Sequence, residues 1–185
     1  AGVNPLSMIQ LKKQLARFQG SRTLQIACLE CGTSYASVTD EQRQIAHSLI
    51  DAGIDLVFAT GSHCLQPIEQ YRGGLIFYGL GNFMVNSPGR FVKEQAPPYG
   101  LLTKLIFTEQ EKKISCSLRL YPIYTNNRRT NYQNRFLQKD ELESVIQVLA
   151  AGGFAKEALQ IQTEKIQQRE IFALDLDTTV SPFTG

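Results

Sequence analysis

An excess of charge of one sign and long hydrophobic runs are both missing from this 185-residue sequence. Its 19 basic and 17 acidic residues leave a net charge of +2, and no basic stretch alternates with aromatic residues as in single-strand nucleic-acid binders. No apolar run approaches the roughly 20 residues of a membrane-spanning helix, and no basic segment precedes an apolar one as in a signal peptide. We therefore expect no nucleic-acid partner and no membrane span, and a chain that is soluble as given.

The chain has four cysteine residues. Cys28 and Cys31 form a C-x-x-C pair, but no second pair follows at the spacing of a four-cysteine zinc site. Cys28 falls in an apolar segment, where a buried thiol is common. Cys31 and Cys64 lie in loops that we place at the same edge of a sheet, so an oxidising compartment would allow a disulfide between them.

The composition is otherwise that of one globular domain. Hydrophobic residues make up 43% of the chain and charged residues 19%, which is ordinary for a folded protein. A chain of this length buries about 70% of the surface that it exposes when unfolded. We therefore expect a single domain over residues 1–185.

The clearest pattern is a strand, a helix and a second strand in the first third of the chain. Residues 23–29 and 54–59 are hydrophobic, and residues 40–52 between them have a helical pattern. A unit of this kind places the loops that follow its strands side by side at the carboxyl edge of the sheet. Glu30 and His63 follow the two strands, so we expect them to face the same crevice.

Three local features refine this unit. Residues 23–29 are apolar on both faces, which predicts an interior strand. Thr39 and Gln42 fit a reciprocal capping box at the start of the helix. His47 lies beside the buried face of that helix, where a structural hydrogen bond is more frequent than a ligand role.

Candidate binding residues follow in the next segment. Gly79 and Gly81, in or beside a strand, indicate close backbone approach next to a site, and Asn82 would then point its amide at a ligand, with a turn-stabilising role as the alternative. Arg90, in a proline-rich loop, would meet an anionic substrate, with simple solvation as the alternative.

The rest of the chain predicts a mixed α/β pattern. Arg128, Arg129 and Arg135 lie among amide side chains, a combination that suits phosphate or carboxylate recognition, although a polar surface loop also explains it. Asp175 and Asp177 share one face of a strand and form a candidate cation site. The predicted elements are a helix within residues 5–18, a hairpin of residues 69–78 around Gly73-Gly74, an antiparallel hairpin of residues 100–108 and 113–124 forming a sheet edge with one wet face, helices from 142–149 and 154–166, and a strand over 171–176.

Three segments of this chain together resemble the bacterial capsule-synthesis CapA/PgsA family. They are residues 30–57, 62–69 and 76–83, and the last of them ends in Gly79-Leu80-Gly81-Asn82-Phe83. That family is linked to poly-γ-glutamate capsules and has a metallophosphoesterase-like fold. The resemblance implies an α/β fold with a layered mixed sheet and helices outside, part of an α/β/β/α sandwich. It covers about the first 85 residues and implies that this chain is the carboxyl-terminal portion of the family fold, without its amino-terminal half.

The resemblance also implies a metal site. Where the family usually has His-Trp-Gly and His-His-Pro-His, this chain has Glu30-Cys31-Gly32 and Thr60-Gly61-Ser62-His63. His63 is carried over as metal ligand and catalytic residue, Glu30 is a substitute ligand, and Asn82 and Arg90 are candidate substrate contacts. The family chemistry uses two divalent ions, such as manganese, iron or zinc, about 4 Å apart. Such a pair needs on the order of six protein ligands, so we expect no metal if the site is degenerate.

Three functions stay open at this point. The first is a CapA-like role in capsule, poly-γ-glutamate or cell-surface polymer biosynthesis, as a partial or degenerate module that binds an anionic polymer or a protein partner, with a parent protein at the cell surface. The second is a metal-dependent phosphoester hydrolase completed by a partner that supplies the missing half. The third is a hydrolase with Cys31 or Cys64 as nucleophile and His63 as base.

Overall fold

The computed structural model describes residues 5–18, 23–84, 89–110 and 113–180, and two β-sheets organise them. The first sheet has the strand order β1-β2-β4-β3. Its strands β1, β2 and β4 run parallel, and β3 runs antiparallel to β4. The strands of this sheet are β1 (Ile26–Cys31), β2 (Leu56–Gly61), β3 (Ile68–Tyr71) and β4 (Gly74–Phe77).

The second sheet is antiparallel, with the order β5-β6-β9-β8 and a short β7 paired with the end of β6. Its strands are β5 (Tyr99–Gln110), β6 (Lys113–Tyr124), β7 (Arg135–Phe136), β8 (Leu159–Ile166) and β9 (Arg169–Val180). The α-helices are α1 (Met8–Leu15), α2 (Asp40–Asp51), α3 (Arg90–Lys93), α4 (Asn127–Thr130) and α5 (Leu142–Ala150), and 3₁₀ turns cover Ala16–Phe18, Lys139–Glu141 and Lys156–Ala158.

Two hydrophobic cores hold these layers together. The smaller core packs α1 and α2 on one face of the first sheet, and its buried members include Leu49, Val57 and Ile76. The larger core joins the opposite face of that sheet to the second sheet and to α5, and it includes Phe77 and Leu120. Successive residues of β4 serve the two cores in turn, as the alternation of a strand requires. The predicted fold class, an α/β fold with helices outside layered sheets, is confirmed.

Helix α2 begins as its sequence predicts. The prediction that the Gln42 side chain completes a reciprocal capping box is wrong. The Thr39 hydroxyl accepts a hydrogen bond from the Gln42 backbone N–H at 3.1 Å. The Gln42 side chain is buried and donates instead to Gln66 Oε1 at 2.9 Å and to the Tyr78 carbonyl at 2.6 Å. Gln42 therefore ties α2 to the sheet rather than to its own first turn.

Among the described residues, strand β1 lies at the edge of its sheet, whereas its apolar faces predicted an interior strand. Within the described residues it pairs only with β2, and Ile26 is 39% exposed. Cys28, on the same face, is also exposed rather than buried. An apolar pattern on both faces does not distinguish an edge from the interior, because that distinction depends on strand neighbours.

Two further expectations about the second sheet are wrong. Strand β6 lies between β5 and β9 rather than at an edge, although it has the predicted wet face opposite Cys116, Leu118 and Leu120. Residues 159–166 form β8 rather than a helix. The turn that joins β8 to β9 consists of Gln167 and Gln168, both at positive φ, without the glycine or asparagine that usually marks such a turn in sequence.

Among the helices that the structure describes, none has the length and apolarity that crossing a bilayer requires.

Candidate functional site

His63 lies just past the carboxyl end of β2, in a tightly packed turn. The preceding Ser62 is fully buried, and its hydroxyl donates to the Cys64 carbonyl at 3.0 Å. His63 itself has a φ of +56°, a left-handed conformation that costs a non-glycine residue about 1 to 2 kcal/mol. The turn therefore fixes the imidazole at the edge of the sheet where parallel α/β folds place their ligands.

Two side chains hold the His63 ring. Its Nδ1 lies 2.9 Å from Oδ1 of Asn82, which is 5% exposed. The ring of Tyr35 stacks on the imidazole at 5.7 Å with an interplanar angle of 20°, and the Asn82 amide donates to the Tyr35 hydroxyl at 3.4 Å. We call Tyr35, His63 and Asn82 the His63 cluster.

The cluster sets the tautomer of His63. Because Oδ1 of Asn82 accepts a hydrogen bond from Nδ1, the neutral ring carries its proton on Nδ1 and leaves Nε2 as an acceptor. Nε2 has no hydrogen-bond partner in the part of the chain that the structure describes. An imidazole anchored in this way through one nitrogen is oriented to bind a ligand through the other.

Tyr35 was missed by the sequence reasoning. It lies in the loop between β1 and α2 with a φ of +60°, and its backbone N–H donates to the Ser62 carbonyl at 2.6 Å. Tyr35 and His63 are thus two stacked left-handed residues, and strain of this kind is concentrated at functional sites. No local pattern marks Tyr35, because its role depends on contacts with residues about 28 positions away.

Close backbone approach fixes Asn82, as Gly79 and Gly81 led us to expect. Gly81 has a φ of +71°, and a Cβ there would overlap the Tyr99 carbonyl oxygen. A Cβ at Gly100 would in turn overlap the Asn82 carbonyl oxygen. The start of β5 therefore clamps the segment that carries Asn82.

Glu30, the expected substitute metal ligand, lies at the carboxyl end of β1. It is opposite Thr60 in the β1–β2 register, three residues before His63, so both residues occupy the same edge of the sheet. Its side chain is exposed. No group of three or more histidine, cysteine, aspartate or glutamate residues able to hold a metal ion occurs among the described residues. These residues by themselves do not fit a metal pair.

Arg90 opens the short helix α3, which packs beside the His63 cluster. The buried Phe91 next to it contacts the Tyr35 ring edge-on at 5.5 Å. The Arg90 guanidinium is 3.6 Å from Glu94, which also lies 3.7 Å from Lys93. These are exposed ion pairs and contribute little to stability, so both cations keep most of their capacity to bind an anion.

A third cation comes from α4. A Cβ at Gly89 would lie 3.1 Å from the guanidinium carbon of Arg128, so Arg128 lies against the start of α3. We call Arg90, Lys93 and Arg128 the basic rim. Its three positive charges exceed the single negative charge of Glu94, and helix α3, which carries two of them, contacts the His63 cluster through Phe91.

The cysteines are not arranged for nucleophilic catalysis. All four are free thiols, and neither Cys31 nor Cys64 is in a disulfide. Cys64 is 3% exposed and its thiol points at the Ala36 carbonyl at 3.7 Å. Burial raises the pKa of both Cys31 and Cys64, whereas a nucleophilic cysteine needs a lowered pKa.

Thiol labelling of the native chain is expected to follow exposure. Cys28 is exposed, Cys31 half-buried, and Cys64 and Cys116 buried. With a small alkylating reagent near pH 8, Cys28 should react first, Cys31 more slowly, and the two buried thiols only after urea is added, because the thiolate is the reactive form. Peptide mass spectrometry over time measures the order. Rapid labelling of Cys64 before Cys28 would contradict this order and would again favour a hydrolase with a cysteine nucleophile.

His47 has the structural role that its position on α2 indicates. Its Nε2 lies 2.9 Å from Oε1 of Glu69, and its ring stacks on Tyr71 at 3.8 Å. The candidate cation site at Asp175 has a different use, because Arg119 donates to both oxygens of that carboxylate at 2.5 and 2.7 Å. The Asp177 side chain lies outside the described residues.

Known proteins are similar to parts of this chain. The family model described as bacterial capsule synthesis protein PGA_cap matches residues 1–87. The PGA biosynthesis protein CapA of Bacillus subtilis is 51% identical over 45 residues, 24% of this chain and 12% of the relative. The capsule biosynthesis protein CapA of Bacillus anthracis is 30% identical over 88 residues, 47% of this chain and 21% of the relative.

A third relative is a probable polyglutamine synthesis accessory protein of Mycobacterium tuberculosis, 37% identical over 84 residues, which are 45% of this chain and 22% of the relative. The matched segments thus span between 12% and 22% of the lengths of these relatives. The family match includes Tyr35, His63 and Asn82. Residues 1–87 of this chain are therefore similar to the bacterial capsule synthesis protein family, and the relatives that share this similarity include CapA proteins.

Proposed function

We propose that this chain acts in the biosynthesis of a capsule or related cell-surface polymer, as a module that binds an anionic polymer of the poly-γ-glutamate type. The His63 cluster contacts the polymer, and the basic rim supplies the charge that attracts it. The parent protein acts at the cell surface. A protein partner that supplies the remaining part of the family fold belongs to the same proposal.

The observation that supports this proposal is that helix α3, which carries Arg90 and Lys93 of the basic rim, contacts Tyr35 of the His63 cluster through Phe91. Arginine side chains bind carboxylates through paired, charge-assisted hydrogen bonds, and poly-γ-glutamate carries one carboxylate on each residue. Arg90 and Arg128 belong to different helices, so they can contact successive carboxylates. His63 Nε2 and the Tyr35 hydroxyl add neutral hydrogen-bonding groups in the His63 cluster.

Binding of poly-γ-glutamate tests the proposal. We expect a fluorescein-labelled polymer to bind the chain, and Arg90→Ala combined with Arg128→Ala to weaken binding about tenfold, because two exposed charge pairs contribute roughly 1 to 2 kcal/mol together. Added salt should weaken wild-type binding, since the rim is exposed and screened. Fluorescence anisotropy gives the affinities.

The matched control removes the same charge elsewhere. Lys165 and Arg169 are exposed at the β8–β9 hairpin, and their double alanine variant should bind as the wild type does. Equal losses of affinity in both double variants would show that net charge alone explains the effect. They would contradict specific binding at the basic rim. No binding by the wild type would contradict the proposal.

The metal-dependent hydrolase is the second candidate, and the free Nε2 of His63 is the observation that favours it. The described residues lack the remaining ligands, so this candidate needs groups supplied by a partner. Elemental analysis for manganese, iron and zinc, with and without His63→Ala, distinguishes it: stoichiometric metal that this substitution removes would favour the hydrolase.

A further inference from the structure

A second concave site lies next to the segment that carries Asn82. This cavity has a volume of about 630 Å³ and lies between residues 83–84, strands β5 to β7 and the turn after α4. Phe83, Tyr132 and Phe136 line it and are 49%, 61% and 36% exposed. Exposed aromatic side chains gathered around one cavity mark a binding surface, whereas single exposed ones do not. We call it the aromatic cavity.

A strained turn holds Tyr132 at the edge of the aromatic cavity. Asn131 and Tyr132 have φ values of +50° and +61°, and a left-handed aromatic residue is an uncommon arrangement with a conformational cost. The backbone N–H of Tyr132 donates to the Asn127 carbonyl at 3.0 Å, which closes the turn. The turn presents the ring to solvent instead of burying it.

Apart from Arg135 and the Tyr132 hydroxyl, the polar side chains that line the cavity are amides. Gln133 and Asn134 follow Tyr132 and line the same cavity. The Asn134 amide donates to the Phe83 carbonyl, which leaves its Oδ1 as an acceptor. The Gln133 side chain makes no hydrogen bond within the described residues. The charged lining residue, Arg135, is held by Glu141 through two hydrogen bonds of 2.6 Å.

This chemistry selects the ligand class. Arg135 is already neutralised by Glu141, so the cavity offers little attraction to an anion, and none of the described residues that line it is a carboxylate that would attract a cation. A fully apolar ligand would leave the amides of Gln133 and Asn134 desolvated without partners, which is costly. A sugar ring satisfies both kinds of surface, because its C–H face packs on an aromatic ring and its hydroxyls pair with amides that both donate and accept.

We propose that the aromatic cavity binds a neutral sugar ring of a glycan. Tyr132 and Phe83 supply the stacking surfaces, and Gln133 and Asn134 bind the hydroxyls. The cavity shares no lining residue with the His63 cluster or the basic rim, so this site stands whether or not an anionic polymer binds there.

Saturation-transfer NMR with two neutral oligosaccharides, cellotetraose and chitotetraose, tests this site. At least one of them should bind the wild-type chain. In ¹⁵N-edited spectra of the protein, its binding should shift the side-chain amide signals of Gln133 and Asn134. Tyr132→Ala should weaken binding about tenfold and Gln133→Ala about threefold, whereas Tyr132→Phe should keep most of it. Binding should not change between about 50 and 500 mM salt, in contrast to binding at the basic rim.

Phe107→Ala is the matched control, because Phe107 is an aromatic residue 56% exposed on β5 that does not line the cavity. It should leave oligosaccharide binding unchanged. Tyr132 is exposed, and alanine has the same left-handed strain, so the variant should remain folded, which circular dichroism checks. The proposal is overturned if neither oligosaccharide binds, if Tyr132→Ala and Phe107→Ala behave alike, or if only a peptide or hydrophobic dye shifts the cavity signals.

Discussion

Gly81→Ala is expected to lower the free energy of unfolding by about 2 to 5 kcal/mol, the largest effect that we expect at a single glycine. Two costs combine at this position. A φ of +71° is strained for any residue with a side chain, and the added Cβ would overlap the Tyr99 carbonyl oxygen. Backbone cannot move aside as the end of a flexible side chain can. Urea unfolding followed by circular dichroism measures the change.

Gly73→Ala is the control that separates the two costs. Gly73 also has a positive φ, +86°, but a Cβ there meets nothing within 4 Å. The decrease in the free energy of unfolding of Gly73→Ala should be limited to the conformational cost of about 1 to 2 kcal/mol. Equal losses in the two variants would contradict the steric overlap at Gly81.

The same substitution reports on the candidate site. Gly81 precedes Asn82, whose Oδ1 accepts from His63 Nδ1. Any shift of the chain at Gly81 moves Asn82 and weakens the tautomer preference of His63. The ¹⁵N chemical shifts of the two imidazole nitrogens should therefore become more alike in Gly81→Ala, and remain as in the wild type in Gly73→Ala.

Glu69→Gln is expected to lower the free energy of unfolding by about 2 to 3 kcal/mol near neutral pH, because the carboxylate joins three elements through hydrogen bonds. Glu69 accepts hydrogen bonds from Arg43 at 2.6 Å, His47 at 2.9 Å and the Tyr78 hydroxyl at 2.7 Å. Its side chain is only 16% exposed. An amide of the same shape removes the charge and replaces an acceptor oxygen with a donor that faces other donors.

The pH dependence of this loss follows from the pKa of Glu69. Burial alone would raise that pKa, but the hydrogen bonds from Tyr78 and His47 and the nearby charges of His47 and Arg43 outweigh burial and lower it from its ordinary value of 4.5. A carboxyl whose pKa is lower in the folded state contributes stability above its unfolded pKa and loses it as the pH falls through the folded pKa. The stability difference between wild type and Glu69→Gln should thus be full near pH 6 and shrink below about pH 4.

A surface carboxylate serves as the control for this experiment. Glu143 is 65% exposed and lies 3.7 Å from Lys156, so Glu143→Gln should change stability by less than about 1 kcal/mol at any pH. Urea titrations of the three proteins between about pH 3 and pH 7 make the comparison. A Glu69→Gln difference that stays constant across this range would show that the loss comes from packing and not from the ionised carboxylate.

Local chemistry was enough to predict a large part of the fold. The Thr39 cap and the helical pattern after it placed α2, and the Gly73-Gly74 signal placed the β3–β4 hairpin, whose turn has Arg72 and Gly73 at positive φ. The wet and dry faces of β6 followed from alternation. These features succeeded because each depends on residues close together in the chain. The strand ends and the neighbouring glycines also singled out His63 and Asn82, which the structure brings within hydrogen-bond distance of each other, while their functional roles stay predictions.

The failures have a common physical origin. Strand β8 and the turn at Gln167-Gln168 carry no local hairpin signal, and long-range pairing with β9 determines their structure. The exposed edge position of β1 depends on which strands lie beside it.

The sequence by itself determined the βαβ order, the capped helix α2 and the placement of His63 after β2, because propensity, capping and periodicity act over a few residues. Only the tertiary structure decided that Tyr35 stacks on His63, that Arg128 lies beside α3, and that Phe83, Tyr132 and Phe136 surround one cavity. Each of these contacts joins segments far apart in the chain, and their meeting is set by how the two sheets pack through their shared core.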